Sequence, residues 1–181
     1  MISEKYQDNL FKKLDGMEGE MTAMSRKIWE NPEIGNEEYM AADLLASRLE
    51  AAGFTVERGS AKLETAFYAA KKSSKPGPKV AFVAEYDALP EIGHACGHNL
   101  FSVAAVGAGI AIGDMIEDIG GEIVVMGSPA EEGVVDNFGG KIHLINHGYF
   151  DGVAACFTFT SEDETVIERT LVTAINIHAE F

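Results

Sequence analysis

Apolar residues recur at Leu10, Leu14, Met17, Met21, Met24 and Ile28, a spacing that predicts an amphipathic helix over residues 3–30, ending before Asn31-Pro32. Leu44, Leu45 and Leu49 share one face of a second helix over about 36–52, with Gly53 as its stop. Short strands are predicted near 54–58 and 65–70, followed by the turn-rich run Lys71-Lys72-Ser73-Ser74-Lys75-Pro76-Gly77-Pro78. Val80-Ala81-Phe82-Val83-Ala84 is an unbroken apolar run of strand length, so both of its faces are expected to be covered, as in a parallel sheet. A small-residue helix over 98–117, a strand over 122–126, a helix over 140–149 and a strand over 153–159 complete the alternation. This order predicts an α/β fold, a three-layer α/β/α arrangement with a mostly parallel open sheet. Beyond it, Leu171, Thr173, Ile175, Ile177 and Phe181 alternate with a second set of residues, a period-two signal for a terminal strand.

Composition narrows the classes. A chain of 181 residues with 46% hydrophobic content holds one substantial core and is not a disordered polymer. Its formal charge of −15 repels phosphates, which excludes non-specific binding to nucleic acid or anionic membrane. The first residues carry no apolar run, and the longest apolar stretch, Phe101 to Ile112, is too short to span a bilayer. Two cysteines make no disulfide framework, so a cytoplasmic location is expected.

The candidate chemistry lies in three segments. Glu85 and Asp87 follow the buried strand, where open α/β sheets bind their ligands. His94-Ala95-Cys96-Gly97-His98-Asn99 puts a thiol and an imidazole two positions apart, so in an extended loop Cys96 and His98 would point the same way. They also precede a helix, whose N-terminal dipole lowers a thiol pKa. After the next strand comes Ser128-Pro129-Ala130-Glu131-Glu132-Gly133, and two neighbouring carboxylates repel each other unless a cation or proton compensates. Thiolate, imidazole and carboxylate bind zinc-like ions, and a further carboxylate beside such an ion can activate water. Metal-assisted hydrolysis is the leading reading.

Read jointly, Glu85-Tyr86-Asp87-Ala88-Leu89-Pro90, Gly93-His94-Ala95-Cys96-Gly97-His98-Asn99 and Pro129-Ala130-Glu131-Glu132-Gly133 resemble the amidohydrolase branch of the aminoacylase/carboxypeptidase metallopeptidase family, the group of aminobenzoyl-glutamate hydrolases and β-alanyl-lysine dipeptidases. Asn31-Pro32-Glu33-Ile34-Gly35 and Glu38 resemble its early helix-connecting segment. The resemblance implies a co-catalytic hydrolase using zinc or manganese, one or two ions, to cleave an amide bond in N-acyl amino acids or dipeptides. Carried over by position, Cys96, His98 and Glu132 resemble metal ligands. Glu131 resembles the general base, and Asp87 the acidic residue that supports the metal site.

The chain departs from that pattern in three places. Thr160 stands where relatives carry a ligand histidine, and Glu85 where distant relatives place another. Family members are also about twice as long. Residues 1–169 therefore resemble the N-terminal part of the catalytic domain, and 170–181 the start of a lid or dimerisation domain. A truncated form, completed by a missing C-terminal half or a homodimer, is expected. Two other readings stay open: a cysteine hydrolase with Cys96 as nucleophile beside His94 or His98, and a non-catalytic derivative. His143 and His147, four apart on a helix, lack the glutamate of the zinc-protease arrangement and read as ordinary histidines, as does His178.

Overall fold

The structure, a computed structural model, describes residues 4–161 together with Ile167. The predicted terminal strand 171–181, the boundary at 169–170 and His178 lie outside the described residues. The first helix, α1 (Glu4–Glu30), stops where Asn31 folds back and donates its side-chain amide to the Lys27 carbonyl. The second, α2 (Tyr39–Ala51), begins three residues later than its pattern suggested. Glu33 explains the offset: its carboxylate accepts the amides of Met40 and Ala41 at 2.8 and 2.9 Å, satisfying donors that the first helical turn leaves free. The chain continues through β1 (Thr55–Arg58), a 3-10 turn (Ser60–Lys62), β2 (Phe67–Lys72) and β3 (Lys79–Glu85). Helix α3 (His98–Gly113) and a single turn α4 (Ile116–Ile119) lead into β4 (Glu122–Ser128). Helix α5 (Gly140–Asn146) and β5 (Val153–Phe157) follow.

The five strands form one sheet in the order β1-β2-β4-β3-β5. It is a mixed sheet, which corrects the expectation of a mostly parallel one. β3 runs parallel to β4 and to β5, whereas β1–β2 and β2–β4 are antiparallel. The reason is connection length. A parallel crossover needs a dozen or more residues, usually including a helix. Residues 59–66 and 73–78 are too short for that, so the chain reverses at each. The two connections that carry α3 and α5 are long enough, and the strands that follow them, β4 and β5, both run parallel to β3 on either side of it.

Side chains alternate faithfully across the central strands. Ile123 and Val125 point into the larger core, with Met17, Met24, Ile28, Leu45, Leu49, Val106 and Ile110 from α1, α2 and α3. Val124 and Met126 point into a smaller one with Ala61 of the 3-10 turn and Leu144 of α5. The three-layer expectation therefore holds, with one thick helical layer and one thin. Small residues let α3 lie close to the sheet: a Cβ at Gly109 would sit 2.4 Å from a Val125 methyl. Among the described residues no helix is long and apolar enough to cross a membrane.

Candidate metal centre

The carboxyl ends of β3 and β4, with the start of α3, hold the candidate chemistry. Glu85 ends β3 and Asp87 follows just beyond it, with Tyr86 between them buried in the core and donating its hydroxyl to the Thr65 carbonyl at 2.6 Å. Cys96 and His98 do converge, although not by the extended geometry that their spacing suggested. Gly97 adopts a left-handed conformation, φ 93°, and His98 is the first residue of α3. The kink turns thiol and imidazole to one side. A Cβ at position 97 would also press on the Phe101 ring at 3.1 Å.

Ligand atoms of Cys96, His98 and Glu132 all lie within 4.8 Å of one another. His98 is buried and its ring is held from behind. Nδ1 lies 2.9 Å from the Asp87 carbonyl oxygen, which accepts its hydrogen bond, and 3.0 Å from the Asp87 carboxylate, which adds an ionic contact. That arrangement leaves Nε2 facing Glu131 and Glu132 at 3.8 and 3.9 Å, too far for hydrogen bonds and open to a ligand between them. Oε1 of Glu132 is buried with no hydrogen-bond partner, and an orphaned carboxylate oxygen calls for a cation. The donor set of sulfur, nitrogen and oxygen suits zinc. The residues present fit a bound divalent ion.

The electrostatics agree. Burial by itself would push the His98 imidazole down, but the carboxylates of Asp87 and Glu85 outweigh it and hold the ring up at about 9. The Cys96 thiol is pushed up to about 11 by burial and by the charges of Glu132, Glu131 and Glu85. This corrects the expectation that the α3 dipole lowers it: nearby full charges outweigh a helix terminus. It also weighs against a cysteine hydrolase, which needs an accessible, depressed thiol. His94 is buried, and burial pushes its pKa down.

Sequence reasoning missed Lys141. From the start of α5 its ammonium bonds to the buried Glu85 carboxylate and lies 3.6 Å from Glu131. Burial raises the Glu85 pKa and Lys141 opposes that rise. The available signal was electrostatic: Glu85, Asp87, Glu131 and Glu132 together demand a countercharge, and Lys141 follows directly on the Gly139-Gly140 turn. Replacing Lys141 by Met should lower stability by about 2–3 kcal/mol, because it leaves Glu85 buried and unpaired. The loss should shrink as pH falls, since a Glu85 pKa raised further favours the folded state only when protonated. Thermal melts at two pH values would check this, and an unchanged midpoint at neutral pH would show the pair to be inconsequential.

Thr160 brings none of the thiol, imidazole or carboxylate donors that make up the cluster, and its neighbour Ser161 donates its hydroxyl to the Cys96 carbonyl at 3.4 Å. His147 bonds back to the His143 carbonyl of its own helix, so those two histidines make no joint site. Cys96 and Cys156 are both free.

A helix-flanked α/β sheet thus carries a candidate metal centre of thiol, imidazole and carboxylate at its strand ends. Comparison with known proteins finds relatives. The chain is 38% identical over 160 residues to one of the subunits of the p-aminobenzoyl-glutamate hydrolase of Escherichia coli, covering 78% of this chain and 32% of that protein. It is 39% identical over 158 residues to the Xaa-Arg dipeptidase of Mus musculus, covering 80% and 36%. Its structure aligns with a dinuclear metal-binding peptidase of the M20 family from Bacillus subtilis at a TM-score of 0.71 and 23% identity, over 82% of this chain and 44% of that one. No protein-family model matches the chain. Over about four fifths of its length the chain is related to these hydrolases and dipeptidases, the group that its motifs resemble. It spans about a third of the length of the curated relatives it matches.

Proposed function

We propose that this chain carries the metal-binding part of a hydrolase that cleaves the amide bond of N-acyl amino acids or dipeptides. The observation that carries the reading is the convergence of Cys96, His98 and Glu132 ligand atoms within 4.8 Å around a buried, unpartnered Glu132 oxygen. In this reading those three residues hold zinc or manganese, and the thiolate favours zinc. When bound, the ion supplies Lewis acidity to the scissile carbonyl. Asp87 fixes the His98 tautomer by occupying Nδ1, which leaves Nε2 as the ligand atom. Glu131 removes a proton from the attacking water and returns it to the leaving amine nitrogen, so one carboxylate serves both proton transfers. Lys141 keeps the Glu131 oxygen oriented, and its charge balances Glu85. With Thr160, a poor zinc ligand, where relatives carry a ligand histidine, the chain holds one ion tightly rather than two. The relatives' names point to acyl-glutamate and dipeptide substrates, and an amide bond beside a free carboxylate is the class proposed here. A partner is proposed as well: a second copy, or a C-terminal half that completes the substrate site. A cytoplasmic location is part of the same reading.

Titration with Co2+ tests the metal site, because cobalt bound to thiolate gives an intense near-ultraviolet charge-transfer band. One equivalent per chain should saturate the band, and Cys96→Ser should abolish it. In hydrolytically active protein a chelator should stop turnover, whereas a thiol nucleophile would survive it. A chain that takes up no cobalt, or activity indifferent to chelation, would remove the metal-hydrolase reading.

A further inference from the structure

Glu38 lies far in sequence from the candidate site, yet it is fully buried directly behind it, at 0% exposure. No cation pairs with it among the described residues' ion pairs. Burial, joined by the nearby charge of Asp87, drives its pKa up, and hydrogen-bond donors oppose this. Its Oε2 accepts the Thr65 hydroxyl at 2.8 Å, and its Oε1 accepts the backbone amide of Ala130 at 2.8 Å. Ala130 is the residue before the Glu131-Glu132 pair and holds φ at 53°, a left-handed conformation that a side chain disfavours. Two residues on, the Glu132 amide donates to Asp87 Oδ2 at 3.0 Å. The turn is thus pinned at both ends by buried carboxylates. The neighbouring backbone is shaped to it: a Cβ at Gly35 would meet Ala130 at 2.8 Å. Asn36 ties the same segment to the Asp136 carbonyl at 2.9 Å. An apolar side chain would fill the position of Glu38 at lower desolvation cost, but it could not offer Ala130 an acceptor.

We propose that Glu38 is a positioning residue, whose carboxylate holds the Ala130 amide in the left-handed turn and so aims Glu131 and Glu132 at Cys96 and His98. The inference rests on the metal-site reading for its consequence and adds a residue from α2's leading edge to that site.

The test compares the full wild-type chain with Glu38→Met, Glu38→Gln and Thr65→Val, reading amide hydrogen exchange at Ala130 in metal-free protein and Co2+ affinity. Glu38→Met keeps the volume and loses the acceptor. It should speed Ala130 exchange at least about tenfold and weaken Co2+ binding by about 10–100-fold. Glu38→Gln keeps a carbonyl oxygen for Ala130 and should stay within about threefold of wild type on both readouts. Thr65→Val removes the other bond, so it should lower the melting temperature and leave both readouts unmoved. Adding Ala130→Gly to Glu38→Met should recover part of the cobalt affinity, since glycine enters the left-handed region freely. Wild-type exchange and affinity in Glu38→Met, or an equal loss of affinity in Thr65→Val, would overturn the proposal. If Glu38→Met does not fold, rapid Ala130 exchange in Glu38→Gln with full cobalt affinity overturns it as well. A wild-type chain that binds no cobalt defeats the metal-site reading instead, and the exchange arm then decides whether Glu38 holds the turn.

Discussion

Glu131→Gln should abolish turnover in hydrolytically active protein, lowering kcat by about 10²–10⁴-fold, while metal content stays at the wild-type level. The amide cannot accept the proton that hydrolysis must move, yet in the proposed arrangement it leaves Cys96, His98 and Glu132 untouched. Glu132→Gln should fail differently. It removes one of two anionic ligands, so affinity should fall by more than the roughly 10–100-fold that losing a supporting partner costs, and activity should follow the metal. Metal analysis alongside steady-state kinetics separates the outcomes. If both variants bound metal and hydrolysed substrate normally, the assignment of the two neighbours would be wrong. The structure offers a reason for their divergence. Glu132 is drawn inward by the bond from its amide to Asp87, while Glu131 stays about one-third exposed, beside Lys141.

Metal affinity should rise about 100-fold per pH unit from pH 6 to 9, then about tenfold per unit towards 11. The metal-free chain holds a proton on His98, at about 9, and one on Cys96, at about 11. Both must leave before an ion can bind, so about two protons are released per ion at neutral pH. Stability of the metal-free chain should run the other way. Both folded-state pKa values lie above their unfolded ones, so the folded chain holds protons that the unfolded chain releases. The His98 contribution is full below about 6.5 and lost by about 9, and that of Cys96 declines from about 8.5 to about 11. Calorimetry in buffers of different ionisation heat counts the protons directly. Release of none would mean that thiol and imidazole are not the ligands.

Several features were legible because they are local. The 3.6-residue spacing of Leu10 to Ile28 and the apolar run Val80–Ala84 each reflect one face, or two, that must leave water. Cys96, His98, Glu131 and Glu132 could be singled out because sulfur, imidazole and paired carboxylates in short segments carry their chemistry in residue type alone. The helix over 98–117 was legible only in outline, since its break at Asp114-Met115 depends on how the chain turns back to the sheet.

The sequence by itself determined the α/β alternation, the segments bearing the ligand candidates and the resemblance that joined them. Tertiary structure decided the strand directions, because the short connections at 59–66 and 73–78 constrain only once β4 has inserted between β2 and β3. It also decided the sign of the thiol shift, since burial and carboxylates from two separate segments, Glu85 and the Glu131-Glu132 pair, act on Cys96 and a helix dipole cannot offset them. The placement of Lys141 and Glu38 against the site became visible only there. Each acts on the site from far away in the chain, Lys141 56 residues beyond its partner Glu85 and Glu38 92 residues before Ala130. Charge balance and hydrogen-bond satisfaction are properties of a volume of space, and a linear pattern of residues does not contain them.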